Sequence, residues 1–481
     1  MRYLQAKTSS RAGSIKTWLL FYMIFVHGAI FFWDIARPDV FLHADRAPER
    51  MVAIRELGSV GMSWKGLSTF LVSHGLAGDY LPQAILYLAG GRYAVILVQV
   101  VLMIAAVMAV YGMTHLLTAS PKASLAAAVL YFHLPHSLVF PHVLASEGIF
   151  DPLLVISFYF AAVFFLEEQR SGPLLASAIL LGCATLVRPV TILWPLVICV
   201  TFLLNRFSLK QVLWYPTMCF VPLTLWMGFI WFNTGVFSMG SSSRDLGHNL
   251  YGQVAIIIKR RLPEYERAQA KAAFLRETAS GETTLDQGVM SASDYFRFGL
   301  NYPRGYLSYL GEEISIYVAK SGVEKVTVDY LDLASDIREG LATMQYSWRD
   351  QVRSQGIIAS AKLMMAERPG LILTSLIGVV LALLLWALAG VGSLCMFIDK
   401  AHTLQQRTFI AILAAFPLYL LAVSLAASGI ESRHRAPAEF TLCLLAVLGW
   451  TLYRRISLHT THWSRFGAVF SMAVSEGRDR V

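Results

Sequence analysis

The chain is dominated by apolar runs close to the length that a bilayer demands. A spanning helix needs about 20 largely apolar residues, because backbone N–H and C=O groups in hydrocarbon must be bonded within the segment. Ten such runs are read here, over residues 17–36, 93–115, 123–143, 147–166, 173–187, 190–205, 211–232, 370–398, 408–429 and 436–453. The run at 173–187 is short and meets Arg188-Pro189, so it tilts, breaks or joins its neighbour as a hairpin. Composition points the same way: 56% of the 481 residues are hydrophobic and 15% are charged, against about 45–50% and about 25% in soluble domains. The fold class expected is an all-α polytopic membrane protein with about ten transmembrane helices. Disordered, collagen-like and disulfide-stapled classes are excluded.

Cations in the short loops set the orientation. One face carries fifteen Lys and Arg, including Arg2, Lys7, Arg11, Lys16, Lys122, Arg170, Arg206, Lys210, Lys400, Arg407, Arg454 and Arg455, while the other carries only Arg188, Arg433 and Arg435. The positive-inside bias puts the richer face and both termini in the cytoplasm. Two long outer loops follow, roughly 37–92 and 233–369, and long ordered loops usually carry function. Three parts result: an N-terminal membrane module over 1–232, a large extracytoplasmic loop over 233–369, and a C-terminal membrane module with a cytoplasmic tail over 370–481. Residues 51–72 form an expected amphipathic segment, with Trp64 and Phe70 suited to the interface. Residues 254–278 and 336–366 read as charged helices.

The net charge of +9 sits largely beside the apolar runs, so the partners expected are membrane lipids and lipid phosphates, and not nucleic acid. The five cysteines, Cys183, Cys199, Cys219, Cys395 and Cys443, lie in apolar stretches without a CxxC pair. That spacing suits small buried residues, not disulfides or zinc. No P-loop, nucleotide-type glycine loop or HExxH motif occurs, and no cofactor or metal is called for. Internal repeats are absent as well, which counts against a transporter built from them.

Ionisable groups at the outer ends of helices are the candidate chemistry, since charge in or near hydrocarbon is costly. Asp45 and Glu49 follow the first run, with Asp34 before them. A carboxylate there is placed to take a proton from an attacking hydroxyl, or to pair locally with Arg46 and Arg50. Glu147 and Asp151 stand four residues apart on one helical face, either lining a cavity or serving as helix-start acids. Arg188 offers the bidentate grip of guanidinium on phosphate, or snorkels to the headgroups. Glu431-Ser432-Arg433-His434-Arg435-Ala436-Pro437 fills a tight outer loop in which two arginines run against the charge bias, as expected where an anion binds. His133, His136 and His142 read as polar contacts inside the bundle, with His133 and His136 on a shared helix face.

In order and spacing, these parts resemble a GT-C superfamily glycosyltransferase, most closely the bacterial relatives of dolichyl-phosphate-mannose–protein mannosyltransferases, a group that includes aminoarabinose transferases. The resemblance covers about residues 20–455. It runs from the acidic loop at Asp45 through Gly78-Asp79-Tyr80-Leu81-Pro82, Gly90-Gly91-Arg92, Ser146-Glu147 and Leu186-Val187-Arg188-Pro189. It continues through Asn233-Thr234-Gly235-Val236-Phe237, Asn249-Leu250-Tyr251-Gly252 and Asn301-Tyr302-Pro303 to Tyr309, and ends at the Glu431–Pro437 element. The family implies transfer of a sugar from a polyprenyl-phosphate donor to a cell-envelope acceptor at the outer (periplasmic) face of the plasma membrane, with inversion and without a metal. It assigns the base to Asp45 or Glu49 and the donor phosphate to Arg188, Arg433 and Arg435. Glu147, Asp151, Glu431 and Tyr309 would line the cavity. Two departures stand out: Arg46 follows Asp45 where eukaryotic-type members have Asp-Glu, which leaves Asp45, Glu49 and Asp34 all open as the base, and His434 replaces the usual Tyr. A lipid-linked sugar flippase or secondary transporter, and a non-catalytic scaffold, are the competing expectations.

Overall fold

The protein is described from a computed structural model that covers residues 2–42, 47–61, 63, 68, 70, 77–168, 170–235, 242–277, 291–319, 359, 362, 369–398, 403–427 and 436–459. Every regular element among the described residues is helical. Six helices are long and apolar enough to cross a membrane, or seven if one bent pair counts as a single span. The chain is therefore a multi-pass helical protein. Apolar helices over 171–187, 189–204 and 436–451 fall short of that length.

Helix α1 (Arg2–Ala36) and α2 (Ala47–Val60) precede α3 (Ala77–Thr118). On α1 the buried residues Leu19, Met23, His27 and Asp34 form one stripe, while Trp18, Phe21, Phe25 and Phe32 are exposed. Large apolar side chains facing outward are what a lipid solvent allows. Helix α3 breaks at Gly90 and Gly91, and the φ of 65° at Gly91 needs a residue without Cβ.

The third apolar run does not form one helix. It divides into α4 (Pro121–Phe132), α5 (Pro135–Val139) and a 3-10 turn over Phe140–His142, with a bend of 71°. The cause is local. Proline disfavours helical backbone in the residue before it and lacks the N–H that the next turn needs, and Leu134, before Pro135, is extended at ψ 142°. The bend also corrects the expectation that His133 and His136 share a continuous helix face, because His133 caps α4 while His136 belongs to α5.

Helix α6 (Glu147–Val163) packs on α7 (Ser171–Val187), followed by α8 (Trp194–Leu204) and α9 (Leu209–Thr234). Ser208 and Gln211 form a capping box at the start of α9, and Gly235 ends it with φ 73°, so both termini follow from sequence. A Cβ on Gly182 would meet the Cys219 carbonyl, so glycine permits the close approach of α7 and α9.

The segment 242–319 has its own core. Helices α10 (Ser242–Arg260), α11 (Glu264–Glu277), α12 (Ala292–Asn301) and α13 (Pro303–Ala319) gather Leu250, Tyr251, Val254, Phe274, Tyr295, Phe298 and Tyr309. The Tyr295 hydroxyl donates to Gln253 Oε1 at 2.6 Å. Burial, with Tyr306 beside it, pushes the phenol up, so it remains a donor across neutral pH. A Tyr295→Phe variant is expected to lose about 1 kcal/mol from this core, read as faster amide exchange across α10–α13 than in the bundle. Tyr317 anchors the loop unit to the bundle through its hydroxyl, which donates to the Pro417 carbonyl at 2.9 Å.

The C-terminal module contains α14 (Pro369–Ile398), α15 (Leu404–Ala427), a 3-10 turn at Ala436–Ala438 and α16 (Glu439–His459). Helices α14 and α16 meet backbone to backbone at Gly392 and Gly449, the small-residue packing that membrane helices use.

Candidate functional site

Arg188 is placed by the way α7 ends. Pro189 forces an extended conformation on the residue before it, and Arg188 adopts φ −142°, ψ 119° as the C-cap. Its side chain leaves the helix axis and reaches α6. There Nη1 donates to Glu147 Oε1 at 2.7 Å, and the guanidinium lies 5.7 Å from the Phe150 ring centroid. Glu147 opens α6 and sits 3% exposed; a carboxylate in a first helical turn is favoured by the backbone dipoles. The Ser146 hydroxyl donates to its other oxygen at 3.1 Å. Gly148 lets this turn close on Gln99 and the Phe140 carbonyl, where a Cβ would have no space.

Asp151 is buried one turn further along, within electrostatic reach of Glu147, Arg188 and Glu439. Its Oδ1 has no hydrogen-bond partner among the described residues. Glu439 opens α16, and its carboxylate accepts from His136 Nδ1 at 3.1 Å. Three buried carboxylates therefore gather around one guanidinium and one imidazole. Arg188 has five N–H donors, of which one is bonded to Glu147. Its side chain is 18% exposed, so the group faces open space as well as the protein.

The flanks of the remaining candidates meet nearby. Val40, Phe140, Val143, Ala145 and Ala436 form one buried apolar cluster. Val40 lies five residues before Asp45, Ala145 two before Glu147, and Ala436 directly after Arg435. Leu144 N–H donates to the Phe41 carbonyl at 2.9 Å, tying the first loop to the start of α6. Five residues of chain span at most about 18 Å.

Of the sequence-derived residues, Glu147, Asp151 and Arg188 come together. Asp45, Glu431, Arg433 and Arg435 lie outside the described residues. The backbone of Glu49 is in α2, but its side chain is not described. Asp34 is buried on α1 and accepts from His142 Nδ1 at 2.6 Å. Tyr309 packs in the core of the loop unit, among Leu250, Tyr251 and Tyr295. Sequence reasoning passed over Glu439, His136 as its partner, and His27. The available signal for Glu439 was an acid at the head of an apolar run, two residues after Pro437.

Compared with models of known protein families and with curated proteins, the chain matches none.

Proposed function

We propose that the protein is a membrane glycosyltransferase that moves a sugar from a polyprenyl-phosphate carrier to a cell-envelope acceptor. The reading carries with it about ten spans, both termini in the cytoplasm, and a site at the extracytoplasmic face of the plasma membrane. The observation that supports it most is the cluster of Val40, Ala145 and Ala436. That cluster joins residues that precede Asp45 and Glu147 in the chain to the one that follows Arg435, and Arg188 is bonded to Glu147.

In this mechanism the lipid phosphate is the leaving group, and Arg188, Arg433 and Arg435 stabilise its growing negative charge. Asp45 takes the proton of the acceptor hydroxyl as that oxygen attacks the anomeric carbon from the opposite side. Glu147 holds the Arg188 guanidinium at the mouth of the site.

The test is transfer of radiolabelled sugar from a polyprenyl-phosphate donor by purified protein in vesicles, with lipid translocation measured in parallel. Transfer without net translocation is expected. Asp45→Asn is expected to lower turnover by about 10²–10⁴-fold; undiminished turnover removes Asp45 from the base role. One feature favours a second reading, transport of the lipid-linked sugar: the helix pair Pro121–Phe132 and Pro135–His142 is bent by 71°, and transporters build sites from broken helices. Translocation without transfer would establish it.

A further inference from the structure

A second polar chain lies between α1 and the 3-10 turn after α5, apart from the Arg188 group. Asp34 Oδ2 is 2.6 Å from His142 Nδ1, and His142 Nε2 is 2.9 Å from His27 Nδ1. The two rings stack with centroids 5.1 Å apart, and the Phe132 ring stands edge-on to His27. Asp34, His142 and His27 are all at most 4% exposed.

The hydrogen-bond inventory decides where the protons sit. An ionised carboxylate only accepts, so a neutral His142 must carry its proton on Nδ1 and present a lone pair at Nε2. His27 must then donate to that lone pair from its own Nδ1. Asp34 thereby sets the tautomer of two rings, and His27 Nε2 is left as an acceptor. That nitrogen is buried and has no hydrogen-bond partner among the described residues. It lies nine residues before Ala36, about 14 Å of helix rise from the outer end of α1.

Neighbouring groups do not compete for it. His133 Nδ1 donates to the Val129 carbonyl and Nε2 accepts the Tyr22 hydroxyl, at 2.8 and 2.7 Å. From α3, Arg92 is bonded to Tyr93, whose ring packs on Phe31. Arg37 follows Asp34 just beyond α1, and the ring that faces His27 is that of His142.

We infer that Asp34, His142 and His27 form a proton relay, entered at His27 Nε2 and left at the Asp34 carboxylate. Chains of acids and histidines are how buried membrane segments move protons. A water-borne proton binds His27 Nε2. The His27 Nδ1 proton passes to His142 Nε2, and the His142 Nδ1 proton passes to Asp34. Both rings finish neutral with their protons on Nε2, the carboxylate is protonated, and one proton has been taken up. The relay stands whether or not the protein transfers a sugar.

The test is nitrogen-15 NMR of the full chain in lipid nanodiscs, labelled at histidine, with the ring signals assigned through His27→Gln and His142→Gln. At alkaline pH both rings are expected in the Nδ1–H form. As pH falls they convert to Nε2–H together, with one midpoint and no doubly protonated His27. In His142→Phe the conversion of His27 is lost. His27 found as Nε2–H at every pH, separate midpoints for the two rings, or an unchanged His27 response in His142→Phe would each overturn the relay. Should His142→Phe fail to fold, the shared or separate midpoints of the unmodified protein decide the question.

Discussion

Arg188→Gln is expected to destabilise the protein more than the double variant Arg188→Gln with Glu147→Gln. Removing one partner of a buried ion pair leaves the other charge without compensation, at a cost of about 3–5 kcal/mol. The partial exposure of Arg188 places the effect near the lower end. Here the loss falls on two carboxylates at once, because Asp151 also feels the guanidinium. The double variant removes an acid together with the base, so its melting temperature should lie between those of the single variant and the native chain. A single variant as stable as the double would mean that the 2.7 Å contact contributes little. Activity separates the two roles of the arginine. Both variants should lose sugar transfer by about 10²–10³-fold if Arg188 stabilises the leaving phosphate. Loss that merely tracks melting temperature would confine Arg188 to a structural part.

The second large effect is expected at the contact of α14 and α16. A Cβ on Gly392 would collide with the Leu445 carbonyl, and one on Gly449 with the backbone of Gly392. Backbone cannot turn aside as a flexible side chain does. Overfilling a packed core costs about 1–3 kcal/mol or more, so Gly392→Leu should cost about 3 kcal/mol and force the two helices apart. Gly390→Leu is the matched control, since nothing lies within 4 Å of a Cβ at Gly390. Thermal unfolding of the two purified variants should differ clearly, with Gly390→Leu close to the native chain. Equal melting temperatures would refute the backbone contact.

Helical class was legible from run length alone, because hydrocarbon leaves a chain few other ways to bond its backbone. Run counting was less informative about where helices stop. Residues 123–143 are largely apolar, yet Pro135 breaks them, and 171–187 and 189–204 are separate short helices around Arg188-Pro189. At the site, Glu147 and Arg188 stood out in the sequence as charges at helix ends. Their pairing did not, since a separation of 41 positions says nothing about which helices are neighbours. Glu439 and His136 are 303 residues apart, and each reads locally as ordinary helix-start or bundle polarity. His27 was invisible for a related reason. A single histidine in an apolar helix gains meaning only when His142 arrives from another segment.

The exposed aromatic face of α1 has a practical consequence. Leu19, Met23, His27 and Asp34 are buried against the rest of the protein, while Trp18, Phe21, Phe25 and Phe32 are exposed on the other side. Solubilisation replaces the surroundings of that other side, and a short-chain, strongly competing detergent acts on α1 there first. The 2.6 Å bond to His142 would be exposed to that exchange, so a gentle amphiphile or a retained annulus of native lipid is what preserves this end of α1.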